Sequence, residues 1–315
     1  IPLRLVGSEM CIRDRFFAAT VIAAMGAGYY TVLAFMAPIT LLLCQRTGMS
    51  LIVGSMAVNY GALSGANFMS SQSGIIFRGL MTNAGLTDNQ AFINATGIFL
   101  STLIIPLLVI SAFVFLAGHG RALKATVIAA TAPEPLNSQQ KTTLWLTLAM
   151  MVIVLAAPVA SILLPGNATA AFINAKMDIG LIASIFSVIA LLLKLGDERK
   201  AMATVPWGTL IMICGVGMLI SVAIKAGTID ILSSWIGSSI PPVLVPVVFG
   251  VVAAFMSIFS STLGVVTPAL FPMVLPIAGN IGIDPMILFI AIVAGAQATS
   301  ISPFSSGGSP VSYTH

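Results

Sequence analysis

Long apolar runs alternate along the chain with two kinds of polar interruption. The first kind is an ordinary turn between runs, as in "QRTG" after Cys44 and "GDERK" at Gly196–Lys200. A helix needs roughly 20 consecutive apolar residues to cross a bilayer. On that measure the pattern predicts a span from Phe16, a broken stretch in "GAGYYTVLAFMAPITLLLC", and a run from Met49 to about Met81. A long span follows from about Ala91 to Ala117, then apolar segments at Thr142–Leu164, Ile179–Leu195 and Trp207 to about Ala226. "GTIDILSSWIGSS" reads as a short interfacial helix. Val243–Phe259, a stretch around "SSTLGVVTPALFPMVLP", and a run from Met286 onwards complete the series. Polar residues from Gly118 to Lys141, including "APEPLNSQQ", predict a linker between a first half (16–117) and a second half (142–310).

The second kind of interruption falls inside the apolar runs: "GAGYYT", "GALSGANFMSSQSG", "FSSTLG" and "GAQATSISPFSSGG". Backbone that leaves a helix at membrane depth must be buried in protein or line a wet cavity, because lipid cannot pair its N–H and C=O groups. Glycines permit irregular backbone, and Ser, Thr, Asn and Gln supply replacement hydrogen bonds. A kinked helix with small packing residues accounts for one such stretch, but these recur in order. Gly48, Gly61, Ala62, Ser71 and Gly74 stand 234 positions before Gly282, Gly295, Ala296, Ser305 and Gly308. "MAP" at Met36–Pro38 parallels "VTP" at Val266–Pro268. Paired Gly-interrupted segments in two halves point to the binding site of a secondary transporter.

Composition agrees, with 58% hydrophobic and 7% charged residues and a mean hydropathy of +1.08. The runs are continuous rather than alternating, which excludes a transmembrane barrel. The small positive excess sits in loops and is no nucleic-acid footprint. Cys44 and Cys214 lie in apolar runs and predict no disulfide framework. His119 sits beside Arg121 in a loop, so neither a metal site nor a nucleophile–base pair is predicted, and the chain is not read as an enzyme.

The two ends do not belong to this pattern. "MCIRDR" at Met10–Arg15 and "VSYTH" at Val311–His315 can be encoded by one DNA string and its reverse complement, and both resemble a transposon-based sequencing adapter. Residues 1–15 and 311–315 are therefore expected to be non-native, with a fragment between them.

Two stretches resemble the divalent-anion/sodium symporter branch of the ion transporter superfamily, and within it the MatC-like dicarboxylate carriers. One runs from "MDIGLIASIFSVIALLL" to "VPWGTLIMICGVGMLISVAIKAGTIDILSSWIG"; the other is "FMSIFSSTLGVVTPALFPMVLP" with "GAQATSISPFSSGG". The resemblance implies an all-α polytopic membrane protein built as an inverted repeat with two re-entrant hairpins and two unwound helices. The first hairpin would centre on Gly26–Thr31 and the second on Ser260, Ser261 and Thr262. The unwound stretches would be Gly61–Gly74 and Gly295–Gly308.

On this resemblance the substrate-binding residues are Gly26, Gly28, Thr31, Ser64, Asn67, Ser70, Ser71, Ser260, Ser261, Thr262, Gln297, Thr299, Ser302, Ser305 and Ser306. Sodium would lie near Gly61, Gly65, Ser73, Gly74, Gly295, Ser300 and Gly307. "SST" resembles the symporters' Ser-Asn-Thr signature, whereas "GAGYYT" departs from it. The implied activity is secondary transport of malonate, malate or succinate with sodium as the coupling ion and no tightly bound cofactor. A homodimer in the bilayer of a bacterial cytoplasmic membrane is implied by the same analogy.

Half-helix N-termini attract a dicarboxylate without a buried cation, and unwound carbonyls can coordinate sodium. Asp88, Glu134, Asp197, Glu198 and Asp284 read as loop residues and Asp178 and Asp230 as segment edges, which disfavours a carboxylate proton relay. Arg78, four residues past "SQSG", is read as an interfacial arginine that snorkels, with a substrate-facing role as its alternative. Asn94 and Asn167 match the glycosylation pattern, and no function is assigned to either. The alternatives for the whole chain are carriage of another anion, cation/proton antiport and a channel. Basic residues flanking Thr142–Leu164 leave its topology open, with an interfacial placement expected.

Overall fold

Caps and prolines set where the helices start. Asp284 accepts a hydrogen bond from the Met286 N–H at 2.9 Å, with Pro285 in the first turn. That pairing opens a helix because an N-cap carboxylate satisfies an orphan N–H and proline tolerates the first turn. A computed structural model of the chain describes residues 9–47, 50–116, 137–163, 167, 169, 172–173, 179–205, 207–300 and 302. Among these residues every regular element is helical and no strand occurs.

The order is α1 (Glu9–Ile22), α2 (Tyr29–Thr47), α3 (Leu51–Ala66), α4 (Gln72–Asn83), α5 (Asp88–Leu116) and α6 (Ser138–Leu163). Then come α7 (Ile179–Leu192), α8 (Glu198–Thr204), α9 (Trp207–Lys225), α10 (Thr228–Ser239), α11 (Val245–Phe259), α12 (Thr267–Ile281) and α13 (Pro285–Ala298). Five-residue π turns at Ala23–Ala27 and Thr262–Val266 precede α2 and α12. Helix α1 begins inside the stretch expected to be adapter-derived, and Ile12 is buried within it.

Segments Asp88–Val114, Ser138–Ala156, Pro242–Phe259 and Thr262–Ile281 are long and apolar enough to cross a membrane. The expectation that Thr142–Leu164 lies in the interface is not supported by length. Helix α6 has 26 residues, about 39 Å at 1.5 Å per residue, against a hydrocarbon core of about 30 Å. Trp145, Leu181, Leu192, Ile211 and Leu219 point outward and form a surface suited to lipid. The protein is an all-α polytopic membrane protein.

The chain divides into two units, residues 1–72 with 103–205 and residues 73–102 with 206–315. The division falls at the start of α4 and within α5. The described end of the expected linker, 137–141, opens α6.

In the first unit α3 packs against both α1 and α2. Gly61 and Gly65 lie where a Cβ would run into the Phe16 and Thr20 carbonyls of α1, so the helices meet backbone to backbone. Without a hydrophobic drive inside lipid, such close packing is what holds helices together. In the second unit α13 packs against α11 and α12 in the same way, and a Cβ on Gly295 would run into the Gly250 carbonyl. Gly250 and Gly295 stand 234 positions after Phe16 and Gly61. The offset seen in the sequence thus recurs as a contact, atom for atom, in each unit. Phe271 extends the second unit's core, with ring centroids 5.6 Å from Phe77 and 4.7 Å from Phe289.

Candidate functional site

In the first unit the apolar helix stops at Ile22 and resumes at Tyr29. Gly26 has φ 100° and Gly28 has φ 74°, a region that L side chains avoid and glycine occupies freely. The break is therefore Gly26–Gly28, while Tyr29, Tyr30 and Thr31 are already helical and Thr31 is exposed. Val32 N–H reaches back to the Gly28 carbonyl at 3.3 Å. The start of α2 carries the positive end of the helix dipole.

A second break lies against the first. Helix α3 ends at Ala66 and α4 starts at Gln72, so the irregular stretch is Asn67–Ser71. Ser71 Oγ donates to the Ala23 carbonyl at 2.7 Å, and a Cβ on Gly28 would sit 2.7 Å from Gln72 Oε1. Asn67 is fully buried, and Ser70, only 9% exposed, has a hydroxyl without a hydrogen-bond partner among the described residues. Ser64 is buried and its Oγ donates to the Tyr60 carbonyl of its own helix at 2.7 Å.

In the second unit α11 ends at Phe259, and Ser260 and Ser261 are extended. Gly26 and Gly28 plus 234 give Ser260 and Thr262, so the two breaks share a register. Their chemistry differs. Ser260 Oγ donates to the Met256 carbonyl at 2.6 Å, Ser261 Oγ accepts from the Gly264 N–H at 3.2 Å, and Ser257 and Thr262 hydroxyls lie 3.0 Å apart. The end of α13 closes on this break. Thr299 Oγ1 donates to the Ala254 carbonyl at 2.9 Å and Ser302 Oγ to the Ile258 carbonyl at 3.1 Å. Gln297 and Ser300 are buried beside Thr299 in the chain. Ser305, Ser306 and Gly307 lie outside the described residues.

The unwound stretches are shorter than expected. Gly61–Ala66 and Gly295–Ala298 remain helical, and so do Gln72, Ser73 and Gly74. Gly61, Gly65 and Gly295 are needed for helix approach, which requires a missing Cβ and leaves the helical hydrogen bonds intact. Ser73 and Gly74 are buried in the first turn of α4.

Arg78 lies with its guanidinium carbon 5.3 Å from the Phe92 ring centroid, and Asp88 is the charge that acts on it. This ties α4 to α5. Asn94, at 8% exposure inside α5, is inaccessible as a glycosylation acceptor. Two residues absent from the sequence-based set join the first break: Tyr29 Oη donates to Asn59 Oδ1 at 2.7 Å in a buried setting. The only sequence signal was the placement of Asn59 in an apolar run and of Tyr29 directly after "GAG". Ser257 was likewise missed, as a lone serine in "AAFMSIF".

In the first unit a broken apolar helix thus meets the interruption between α3 and α4, and in the second a broken apolar helix meets the end of α13. No curated protein matches the chain. Residues 3–301 match the family described as citrate transporter, which also supports the ion transporter superfamily expected from the sequence. On that match, which covers nearly the whole sequence, the chain belongs to the citrate transporter family, a family of secondary carriers of citrate-type carboxylates.

Proposed function

We propose that the protein is a secondary-active carrier of small multivalent carboxylates, citrate together with malate, succinate and malonate, driven by sodium in a bacterial cytoplasmic membrane. The observation that carries this reading is the pair of breaks at Gly26–Gly28 and Ser260–Ser261, which share one register, the first abutting Asn67–Ser71 and the second the end of α13. A start of helix at each break supplies N–H groups and a positive dipole for a carboxylate. The hydroxyls and extended backbone at Ser257–Thr262 offer the oxygen-rich surroundings that a sodium ion needs. Asp88, Asp197, Glu198 and Asp284 are exposed at helix ends or turns, which favours a coupling ion other than a proton passed between carboxylates.

The test is uptake of labelled citrate, malate, succinate and malonate into proteoliposomes under an imposed sodium gradient, and then under a proton gradient alone. Saturable, sodium-stimulated uptake of at least citrate is expected. Ser260→Ala with Ser261→Ala should lower the sodium affinity about tenfold, in line with about 1.4 kcal/mol of lost coordination and capping. Proton-driven uptake indifferent to sodium would overturn the coupling ion, and uptake of none of the four would overturn the substrate class.

A further inference from the structure

The two breaks sit at one register but are held in different ways. The second is fastened by its own hydroxyls: Ser260 on Met256, Ser261 on Gly264, and Ser257 with Thr262. The first consists of Gly26, Ala27 and Gly28 and has no polar side chain to hold it. Glycine in such a stretch has the most conformational freedom to lose, so its geometry must be imposed from outside.

Two hydrogen bonds do this. Ser71 Oγ grips the Ala23 carbonyl on the α1 side. Tyr29, the first residue of α2, grips Asn59 of α3 on the other side at 2.7 Å. Fixing the Tyr29 phenol on α3 fixes where α2 starts, and hence where its first-turn N–H groups point. The register counterparts of Tyr29 and Asn59 in the second unit are Leu263 and Val293, an apolar pair where no such bond can form. Packing alone therefore does not require a polar pair at these positions.

The pair is also expensive. Asn59 is 6% exposed, and its Nδ2 has no hydrogen-bond partner among the described residues. A half-satisfied buried amide is worse for stability than two apolar groups of the same shape. Buried at 6% exposure and bonded to the first residue of α2, Asn59 acts through the break rather than on the ligand.

We infer that Tyr29 and Asn59 are positioning residues that hold the first break in the geometry that receives a substrate carboxylate. This rests on the carrier reading above. The test compares Tyr29→Phe, Asn59→Val and the double variant with the unaltered full chain. Each preparation is read for citrate KM and Vmax in proteoliposomes and for thermal unfolding in detergent. Tyr29→Phe should lower the unfolding temperature and raise KM about fivefold to tenfold, the effect of one lost positioning bond.

The double variant separates structure from positioning. Removing both partners should return the unfolding temperature to that of the unaltered chain or above it, while KM stays raised. Should Tyr29→Phe fail to fold, the double variant alone decides. A KM restored along with stability would overturn the inference, because the bond would then be structural only. A KM within twofold of the unaltered chain in every variant would also overturn it. If the unaltered chain shows no saturable citrate uptake, the carrier reading itself falls and the inference falls with it.

Discussion

Replacing Gly65 by alanine tests the backbone-to-backbone crossing of α1 and α3. The new Cβ would stand 2.7 Å from the Ala23 Cβ and 2.8 Å from the Thr20 carbonyl carbon, with the Thr20 oxygen nearer still. Carbon atoms in contact prefer about 3.5–4.0 Å, so the helices must part by about 1 Å at the crossing. Overpacking of this kind costs about 1–3 kcal/mol. The upper half of that range applies, because the obstructing atoms are mainly the backbone of α1, which no rotamer change can move. Against this, alanine is favoured over glycine inside a helix by about 0.8–1.0 kcal/mol.

The net loss is about 1–2 kcal/mol, a fall of several degrees in the unfolding temperature of a chain this size. Gly79→Ala in α4 is the control, since nothing lies within 4 Å of a Cβ there. It should leave the unfolding temperature unchanged or raise it. Gly295→Ala, at the matching crossing, should fall like Gly65→Ala. Equal unfolding temperatures for Gly65→Ala and Gly79→Ala in the same detergent would refute the close-approach explanation.

Thr299→Val removes the bond to the Ala254 carbonyl. It should cost about 0.6 kcal/mol, the usual worth of an interhelical hydrogen bond in lipid, with Thr299→Ser recovering most of the unfolding temperature. Arg78→Met should cost about 1–2 kcal/mol by deleting the desolvated cation–π contact with Phe92 while leaving citrate KM within twofold. A tenfold rise in KM at unchanged stability would instead make Arg78 a substrate ligand. Single cysteines at Gln139 and Leu163, near the two ends of α6, should react with a membrane-impermeant thiol reagent from opposite faces in a cysteine-free background. Labelling of both from one face would place α6 in the interface.

That the apolar runs are broken near "GAGYYT" and "SSTLG" was legible from the residues, and the family resemblance centred the breaks on Gly26–Thr31 and Ser260–Thr262. Glycine pairs or hydroxyl triplets inside runs otherwise apolar enough for lipid have few other uses, so Gly26–Gly28 and Ser260–Ser261 stood out. The extent of the unwinding was not legible. Gly61, Gly65 and Gly295 read as irregular backbone because a glycine that loosens a helix and one that admits a neighbouring helix look alike in sequence. Only the Phe16, Thr20 and Gly250 carbonyls opposite them tell the two apart. The spacing of 234 was visible as weak coincidences of glycine, alanine and serine, and the structure gives it meaning through equivalent crossings. The Tyr29–Asn59 bond was invisible, since it joins residues 30 positions apart that belong to no motif. The extent of α6 was legible, since the apolar run Thr142–Leu164 nearly matches the helix Ser138–Leu163, whereas its placement was not, because basic residues flank it on both sides.

The central claim is that the protein is a carrier that binds a carboxylate and moves it across the membrane. Counterflow tests it most directly, because exchange needs a saturable site that faces both sides in turn and no ion gradient. Proteoliposomes loaded with unlabelled citrate and diluted into a trace of labelled citrate should accumulate label transiently. Vesicles not preloaded with citrate, and vesicles without the protein, should accumulate much less. Label that enters at the same rate whether or not the vesicles are preloaded, and that rises without saturation as citrate is increased, would describe a pore and contradict the account.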